Sequence, residues 1–377
     1  MEPNEAYPHS LAQLLAQMDA KGITDYRRYQ AVHRFLDGKA RVKGVPLTGT
    51  FELTPLCNLD CKMCYVHLTK AQPMATEQWL WILGQAVDNG MLYARLTGGE
   101  CLTYPGFRDC YLYLRERGVE TGILTNGVLL NRETVDFLEK NKPAMVQITV
   151  YGASEASYER VTGHRCFQTV MEHVQALREA KIPVALVTTP NAYMTDGVDI
   201  IRLVQKLGLP LTINSGLLAP REETGRTLQD ASLDTYVEML RCQREYKNEK
   251  SLEGFAPEEL PDPGGTGEAC FGVRCGAGRS GFSIDWHGHM KPCNNFPNQG
   301  EDVFTLGFAE AWRRTHTTAA QFPQPRECPG CRYQGVCKHC VAEHAAGAPL
   351  GHASPNICAW GKRMVEEGLL KLSLPAT

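Results

Sequence analysis

Apolar runs that alternate with amphipathic stretches dominate the chain from about residue 47 onward. Six runs have the length and apolar character of buried strands: VPLTGTFEL, MLYARLT, TGILT, AMVQITVY, IPVALVTT and LPLTINSGL. Between them lie stretches with apolar residues at helical spacing: TEQWLWILGQAVDN, GFRDCYLYLRERG, NRETVDFLEKN, TVMEHVQALREA and GVDIIRLVQKLG. This alternation predicts an α/β fold with a parallel sheet and helices outside it.

The regions that flank this pattern predict four segments. Residues 1–46 form an N-terminal segment with two short amphipathic helices, and residues 47–250 form the α/β barrel, which a further helix closes. Residues 251–267 are rich in Pro, Gly and acid and are predicted to be a linker. Residues 268–377 are richer in cysteine than the preceding region and lack its regular hydrophobic periodicity. This composition favours a small module held together by metal.

Charge and cysteine content narrow the function classes. The chain has 377 residues, a formal net charge of -3 and 15 cysteines. A net charge this small gives no electrostatic reason to expect binding to nucleic acid or to an anionic membrane. No run in the sequence approaches the roughly 18 apolar residues of a membrane-spanning helix. We therefore expect a cytoplasmic protein, in which thiolate ligation of metal is favoured over disulfides.

Three cysteines follow the first predicted strand in TPLCNLDCKMCY: Cys57, Cys61 and Cys64. Three thiolates on one short loop can hold three irons of a [4Fe–4S] cluster, which usually takes four. The fourth iron then has no protein ligand. A metal with a free coordination position is typical of catalytic rather than structural metal sites. The alternatives are free thiols or a zinc knuckle with His67 as fourth ligand.

Polar residues and glycines follow the next three predicted strands, in LTGGE (96–100), TNG (125–127) and ITVYG (148–152). Parallel α/β folds place their sites at the carboxyl ends of strands. Glycine there lets the backbone approach a ligand, and a carboxylate can meet an ammonium group. The candidate ligand-binding residues are Gly98, Gly99, Glu100, Thr125, Asn126 and Thr149.

CNLDCKMCY, followed by the GGE sequence, resembles the signature of the radical S-adenosylmethionine (SAM) superfamily. The resemblance implies a partial (β/α)6 barrel in which the open iron binds SAM. Reduction of the cluster then yields a 5′-deoxyadenosyl radical that takes hydrogen from a substrate. It also implies that Tyr65 contacts adenine and that GGE binds the methionine amino group. Arg160 and Arg165 are both candidates for the SAM carboxylate, and Cys101 stands where the family commonly has Pro.

Eight further cysteines crowd the C-terminal region with a spacing that resembles the SPASM extension of radical SAM enzymes. The one departure is two residues, not three, between Cys337 and Cys340. Zinc ribbons, the alternative, usually separate their CxxC pairs by a dozen or more residues, and here only five intervene. The resemblance implies two auxiliary clusters, so that the cofactors are SAM and three [4Fe–4S] clusters. The implied ligand sets are Cys270, Cys275, Cys293 and Cys340 for one cluster and Cys328, Cys331, Cys337 and Cys358 for the other.

The four cysteines outside these sets are expected to be small buried hydrophobic residues on helices. They are Cys101, Cys110, Cys166 and Cys242.

The favoured function is maturation of a ribosomally made peptide through a carbon–carbon or thioether crosslink. Expected partners are a peptide or protein substrate and a reductant such as flavodoxin or ferredoxin. About 46 residues precede the barrel, too few for the winged-helix leader-binding domain of many maturases. Leader recognition would then use a separate protein or direct contact with the core peptide.

Several alternatives remain open from the sequence. A sulfatase-maturase-like dehydrogenase would carry an Asp base after Cys293, but this chain has Asn294, whose amide does not accept a proton. Asp285 is predicted to be a turn residue in GFSIDWHGH. A small-molecule radical SAM oxidoreductase, a zinc-binding interaction protein and a ferredoxin-like electron carrier complete the alternatives, and the catalytic base is unassigned.

Overall fold

The structure is a computed structural model that describes most of the chain. The described residues are 10–20, 26–66, 72–217, 220, 232–249, 273, 275–297, 299–334, 336–337 and 340–371. The predicted linker at 251–267 lies outside them, as do the predicted ligand Cys270 and the alternative zinc ligand His67.

In the described residues, nine strands form one central sheet. Their bounds are β1 Thr48–Glu52, β2 Tyr93–Thr97, β3 Glu120–Thr125, β4 Met145–Thr149, β5 Val184–Thr188, β6 Leu211–Ile213, β7 Gly281–Ile284, β8 His289–Lys291 and β9 Glu301–Asp302. The order across the sheet is β6-β5-β4-β3-β2-β1-β7-β8-β9, and the neighbours from β1 to β6 are all parallel. Within the described residues β6 and β9 are edges, so the predicted partial (β/α)6 barrel is confirmed as an open sheet.

Helices connect the parallel strands and cover the sheet. Their bounds are α1 Leu11–Ala20, α2 Tyr26–Lys43, α3 Thr76–Asp88, α4 Phe107–Glu116, α5 Arg132–Lys140, α6 Glu155–Thr162, α7 Phe167–Glu179, α8 Gly197–Leu207, α9 Leu233–Glu249, α10 Val303–Leu306, α11 Phe308–Gln321, α12 Val341–Gly347 and α13 Pro355–Glu366. The two helices predicted before the barrel and the five predicted between its strands are all present. Among the helices that the structure describes, none is both long enough and apolar enough to cross a membrane.

Helix α3 shows why the periodicity predicts these elements. Trp79, Ile82, Leu83 and Ala86 are spaced three or four residues apart and are fully buried. Side chains at that spacing share one face of a helix, and here the face packs on the sheet. The Trp79 ring meets the Phe51 ring of β1 edge to face, with their centroids 6.2 Å apart. The main core therefore lies between the sheet and its helices.

Helix α6 was not predicted, although its end signals are in the sequence. Ser154 caps its first turn by accepting a hydrogen bond from the Ser157 amide at 3.2 Å. Gly163 ends it in the left-handed conformation, with φ of 76°. The helix has eight residues, so few apolar positions repeat and the periodic signal is short.

The predicted hairpin at GFSIDWHGH is confirmed. Strands β7 and β8 pair antiparallel, and the Asp285 carboxylate between them accepts hydrogen bonds from the amides of His287 and His289, each at 3.1 Å. Asp285 is thus the predicted turn residue. Strand β7 also pairs in parallel with β1, from Thr48 opposite Gly281, so the sheet of the barrel continues into the C-terminal region.

The expectation that regular periodicity is lost beyond residue 268 is wrong for α11. Its buried residues Phe308, Ala311, Trp312, Thr315 and Ala319 follow helical spacing over 14 residues. They pack against the β7–β9 part of the sheet, where Phe282 contacts the rings of α11. The C-terminal region therefore combines an apolar layer with its cysteine-rich segment.

Candidate active site

A cavity of about 580 Å³ opens at the carboxyl ends of the parallel strands, and we call it the reaction cavity. A volume of this size is ordinary for a cofactor or small-molecule site. All three cysteines of the first group line it, as do six of the seven other residues predicted to contact SAM. These six are Tyr65, Gly98, Gly99, Thr125, Asn126 and Thr149, and Glu100 is the exception.

The loop that carries Cys57, Cys61 and Cys64 is fixed by the last turn of α6. The amides of Asp60 and Lys62 donate hydrogen bonds, each 3.0 Å long, to carbonyl oxygens of that turn. The last carbonyls of a helix have no partner inside the helix, so α6 offers them to this loop. The unpredicted helix is therefore what positions the cysteine loop.

The three thiols share one electrostatic neighbourhood. Burial raises the pKa of Cys57 to about 12, and negative charge on Glu100 and Cys64 adds to the rise, while the Leu59 amide, 3.4 Å from the sulfur, opposes it. Burial raises the pKa of Tyr151 well above its usual value, and charge on all three thiols raises it further. All three cysteines and Tyr151 line the same cavity.

Three neighbouring thiols on one cavity wall fit a cubane cluster with one open iron. In the described part of the chain, no three His, Cys, Asp or Glu side chains converge as ligands of a single metal ion. A [4Fe–4S] cluster does not require such convergence, because each thiolate binds a different iron. When bound and reduced, this cluster supplies the electron that cleaves SAM.

Positions 98 and 99 require glycine because the backbone there lies too close to the segment that leads into the cysteine loop for a Cβ atom to fit. The Gly99 amide donates to the Thr54 carbonyl at 2.7 Å, and Gly98 has φ of 148°. A Cβ atom on Gly98 would overlap the Thr54 carbonyl oxygen, and one on Gly99 would overlap those of Pro55 and Leu56. The glycines thus bring the end of β2 against the loop as well as lining the reaction cavity.

Glu100 lies beneath the cavity rather than on its wall and is 1% exposed. Its carboxylate accepts hydrogen bonds from the Thr125 hydroxyl at 2.8 Å, the Asn126 amide at 2.7 Å and the Leu102 amide at 3.0 Å. Burial raises its pKa above the ordinary value, and these hydrogen bonds oppose the rise. Glu100 therefore ties the end of β2 to the end of β3, and its contact with the methionine amino group stays a prediction.

We expect Glu100→Gln to lower the free energy of unfolding by about 2 kcal/mol. The reason is that an NH2 group, a hydrogen-bond donor, replaces one carboxylate oxygen and then faces other donors. Urea unfolding of the variant and of the parent protein measures the difference. The matched control is Glu139→Gln on α5, where the side chain is exposed. Equal loss in both variants would contradict this role for Glu100.

Asn126 and Thr125 connect the strand end to the cysteine loop. The Asn126 side-chain amide donates to the Asn58 side-chain oxygen at 2.8 Å and lies 3.7 Å from the Cys57 sulfur. The Thr125 hydroxyl also accepts a hydrogen bond from the Gly127 amide at 3.1 Å. Both residues line the cavity, so they support the loop and face the ligand site together.

Tyr65 belongs to a partly buried hydrogen-bond network that sequence reasoning missed. Its hydroxyl donates to Glu52 at 3.0 Å, and the Asn294 side-chain amide donates to the same carboxylate at 2.8 Å. Glu52 is fully buried at the end of β1. The Asn294 side-chain amide thus acts as a hydrogen-bond donor. Through Glu52, Asn294, which follows Cys293, is connected to Tyr65, which follows Cys64.

Neither arginine proposed for the SAM carboxylate lines the reaction cavity. Arg160 donates to the Tyr193 carbonyl at 3.0 Å and to the Thr195 hydroxyl at 2.6 Å. Arg165 pairs with Glu159 at 2.8 Å on the surface. Among the described residues that line the cavity there is no lysine, arginine or histidine.

The structure groups the described C-terminal cysteines as the two implied sets. Cys293 and Cys340 pack against the same small hydrophobic core. Burial raises the pKa of Cys293 to about 12, and charge on Cys275 and Cys340 adds to the rise. Cys340, at the position of the spacing departure, is therefore with its expected partners, and its role as a ligand stays a prediction.

The other implied set lines a separate cavity of about 250 Å³. Burial raises the pKa of Cys328, and charge on the other three thiols raises it further. Gly361 of α13 faces this cavity, and a Cβ there would lie 3.6 Å from the Cys337 sulfur. The four thiols are Cys328, Cys331, Cys337 and Cys358.

The remaining cysteines largely follow expectation. Cys101, Cys110 and Cys166 are buried, whereas Cys242 on α9 is only partly buried, which corrects that part of the expectation. The Cys101 thiol lies 3.4 Å from the Leu124 carbonyl.

Several cavity-lining residues were missed. Asn214 and Ser215 follow β6 in a run that was predicted as a strand, so a polar strand end was available as a signal. Tyr151 follows β4 in the same way. Glu343 comes from α12, far away in the sequence, and no sequence signal indicated it.

Comparison with known proteins agrees with this site. Residues 51–203 match the family model of the radical SAM superfamily. The chain is similar to the sporulation killing factor maturation protein SkfB of Bacillus subtilis, 29% identical over 41% of this chain and 38% of SkfB. It is also similar to the mycofactocin maturase MftC of Mycolicibacterium smegmatis, 26% identical over 91% of this chain and 90% of MftC.

The fold is shared with a solved structure. The chain matches Streptococcus suis SuiB bound to S-adenosylmethionine with a TM-score of 0.66 and 16% identity, over 92% of this chain and 87% of SuiB. The cysteine loop lies at the carboxyl edge of the open parallel sheet, within the residues that match the family model. Residues 51–203 of the chain therefore form a radical SAM domain, the kind of domain that binds S-adenosylmethionine and an iron–sulfur cluster.

Proposed function

We propose that this enzyme matures a ribosomally made peptide by hydrogen abstraction, leading to a carbon–carbon or thioether crosslink. The observation that carries the proposal is the reaction cavity, whose wall holds three clustered thiols and the polar ends of the parallel strands. The names of SkfB and MftC describe maturation proteins, which supports a peptide substrate.

The chain's own residues have defined tasks in this proposal. Cys57, Cys61 and Cys64 hold the cluster and leave one iron for SAM. Gly98 and Gly99 present backbone to the methionine end, and Tyr65 faces the adenine.

The proposal includes two auxiliary [4Fe–4S] clusters held by the C-terminal cysteines. A crosslink removes two hydrogens from the peptide: one leaves as an atom on 5′-deoxyadenosine, and the other leaves as a proton and an electron. Clusters held by these cysteines would accept that electron, and the overall reaction would be an oxidation of the peptide. Flavodoxin or ferredoxin supplies the electron for SAM cleavage, and a reducing cytoplasm suits the many thiolates.

A sulfatase-maturase-like reaction is less well supported. The position after Cys293 is Asn294, whose amide donates to Glu52. The Glu52 carboxylate is fully buried and is not among the residues that line the reaction cavity. Neither side chain therefore serves as a base that meets the substrate in this structure.

Mass measurement of candidate peptides tests the proposal. The anaerobically reconstituted chain is incubated with SAM, dithionite and short precursor peptides. Loss of two hydrogens per modification together with release of 5′-deoxyadenosine supports a crosslink. Release of 5′-deoxyadenosine with no peptide changed in mass would argue for another substrate class.

We expect Cys328→Ala to lower iron from about twelve to about eight per chain, because each cluster holds four irons. The C-terminal region should also become more sensitive to proteolysis, because metal binding there contributes to folding. Iron and acid-labile sulfide analysis with limited proteolysis measures both effects. Cys242→Ala is the matched control and should keep the parent iron content; unchanged iron in Cys328→Ala would contradict the ligand assignment.

A further inference from the structure

The cysteine loop and the end of α6 share an exposed surface, and we call it the loop face. Its charged and titratable side chains are exposed, and none of them lines the reaction cavity: Asp60, Lys62, Glu159, Arg160, His164 and Arg165. Besides the two backbone hydrogen bonds between the loop and α6, a Cβ atom on Gly163 would lie 3.8 Å from the Asp60 Cβ. The loop face is therefore one continuous surface.

Two cations of the loop face meet at Tyr193, in the segment after β5. The Lys62 Nζ lies 4.7 Å from the centroid of the Tyr193 ring. Arg160 donates to the Tyr193 carbonyl oxygen and to the Thr195 hydroxyl. A ring, a carbonyl and a hydroxyl hold the two cations in place without neutralising them.

The loop face is opposite in sign to the chain as a whole. Arg165 and Glu159 pair with each other at 2.8 Å, and both are exposed. Asp60 is the other carboxylate of this face, so three permanent cations stand against two carboxylates. The whole chain has a formal net charge of -3. An acidic partner is therefore repelled by the molecule overall and attracted to this face.

The loop face is also the surface nearest in sequence to the cysteines of the first group. Lys62 lies between Cys61 and Cys64 on the same short loop. In the proposed function SAM and the substrate occupy the reaction cavity, which these cysteines line. Electron transfer weakens steeply with distance, so a donor has to dock close to the cluster without entering the cavity. The loop face meets both requirements.

We propose that the loop face is the docking site of an acidic one-electron carrier protein, with Lys62 and Arg160 as its main contacts. This inference rests on the proposed reductant and adds where it binds and which charges recognise it. Carboxylates of the carrier meet the two cations. The carrier is oxidised by one electron and the first cluster is reduced by one, with no transfer of a proton or of a covalently bound group.

Binding of a flavodoxin with net negative charge tests the docking site. The flavodoxin is labelled and oxidised, and its anisotropy is measured with the cluster-loaded chain. We expect the double variant Lys62→Gln/Arg160→Gln to bind it about tenfold more weakly than the parent at about 0.01 M salt, because two charge contacts are lost. At about 1 M salt the difference should fall below about twofold, because exposed charges are then screened within about 3 Å.

The double variant Lys142→Gln/Lys181→Gln is the matched control. It removes the same charge from two exposed lysines. These lysines precede β4 and β5, so they lie at the sheet edge opposite the cysteine loop. The control should bind flavodoxin within about twofold of the parent, because its charges lie far from the docking site. Equal binding by the two double variants would overturn the docking site.

Release of 5′-deoxyadenosine driven by two reductants separates docking from damage to the cluster loop. With limiting reduced flavodoxin, Lys62→Gln/Arg160→Gln should release it about tenfold more slowly than the parent, because association is no longer steered. With dithionite, a small reductant that needs no protein docking face, the rates should agree within about twofold. Equal slowing with both reductants would overturn the docking role of the two cations.

The parent protein alone also tests the inference. Its affinity for flavodoxin should fall as salt rises, and absent or salt-independent binding would overturn the docking site without any variant. Failure of the proposed function has different signs. Release driven by dithionite without flavodoxin binding overturns the docking site alone. Salt-sensitive flavodoxin binding with no peptide changed in mass supports the docking site and argues against the proposed peptide reaction.

Discussion

Replacing Cys57 by alanine is expected to lower SAM cleavage by at least about 10³-fold, because the cofactor carries the difficult step and its cluster loses one of three thiolates. Iron should fall from about twelve to about eight per chain, since only one four-iron cluster is affected. The C-terminal cysteine groups lie elsewhere in the structure, so their iron should remain. Release of 5′-deoxyadenosine and iron analysis on the same samples measure both effects.

Cys166→Ala is the matched control for this prediction. Cys57 is partly buried and Cys166 is buried, and Cys166 does not line the reaction cavity. The control should keep the parent iron content and should cleave SAM within about twofold of the parent rate, as expected for a small packing change. If Cys57→Ala cleaved SAM as fast as this control, the assignment of the cluster to the first cysteine loop would be wrong.

Gly99→Ala is the second change with a large expected effect. The new Cβ would overlap the carbonyl oxygens of Pro55 and Leu56, which belong to the backbone that leads into the cysteine loop. Backbone cannot rotate away as a flexible side chain can, so the loop must shift. We expect a loss of about 2–3 kcal/mol in the free energy of unfolding, typical of overpacking.

The displaced loop should also hold its cluster poorly, so Gly99→Ala is expected to lose the iron of the first site. Gly122→Ala in β3 is the control, because its Cβ would lie 3.7 Å from the nearest atom, the Met145 carbonyl oxygen, in ordinary contact. Urea unfolding and iron analysis distinguish the two. Full iron content and parent stability in Gly99→Ala would show that the close approach of the two loops is not required.

The sequence was sufficient for the parallel sheet because its signals are local. Each of β1 to β6 is a short apolar run between helical patterns, and the chain order of the strands is also their spatial order. The carboxyl ends of such strands necessarily share one edge, so the cysteine loop, the glycines and Thr125 were predicted to meet. The structure brings them to one cavity.

Other parts of the fold had a local signal that was short or concealed, or had none. Helix α6 has only eight residues, and its importance comes from the carbonyls that it offers to Asp60 and Lys62. The pairing of β7 with β1 joins segments more than 200 residues apart, which no periodicity reveals. Helix α11 had a readable period, but the cysteine-rich composition around it concealed the pattern.

In the site, too, residues in sequence motifs could be predicted, whereas residues that meet only through tertiary packing could not. Glu100 was read from its motif, yet its carboxylate turns toward Thr125 and Asn126, because the adjacent strand end offers it donors. The contact of Asn294 with Glu52 and the position of Glu343 depend on how the C-terminal region packs on the barrel. Residues that meet only through such packing cannot be found from spacing along one sequence.

Electron paramagnetic resonance of the reduced protein, with and without SAM, tests the central claim most directly. The three thiols of the first loop are proposed to leave one iron open, so added SAM should change the spectrum of one cluster, and that change should be absent in Cys57→Ala. The signals from the proposed C-terminal clusters should stay the same. A spectrum in which SAM perturbs no iron centre would contradict the account.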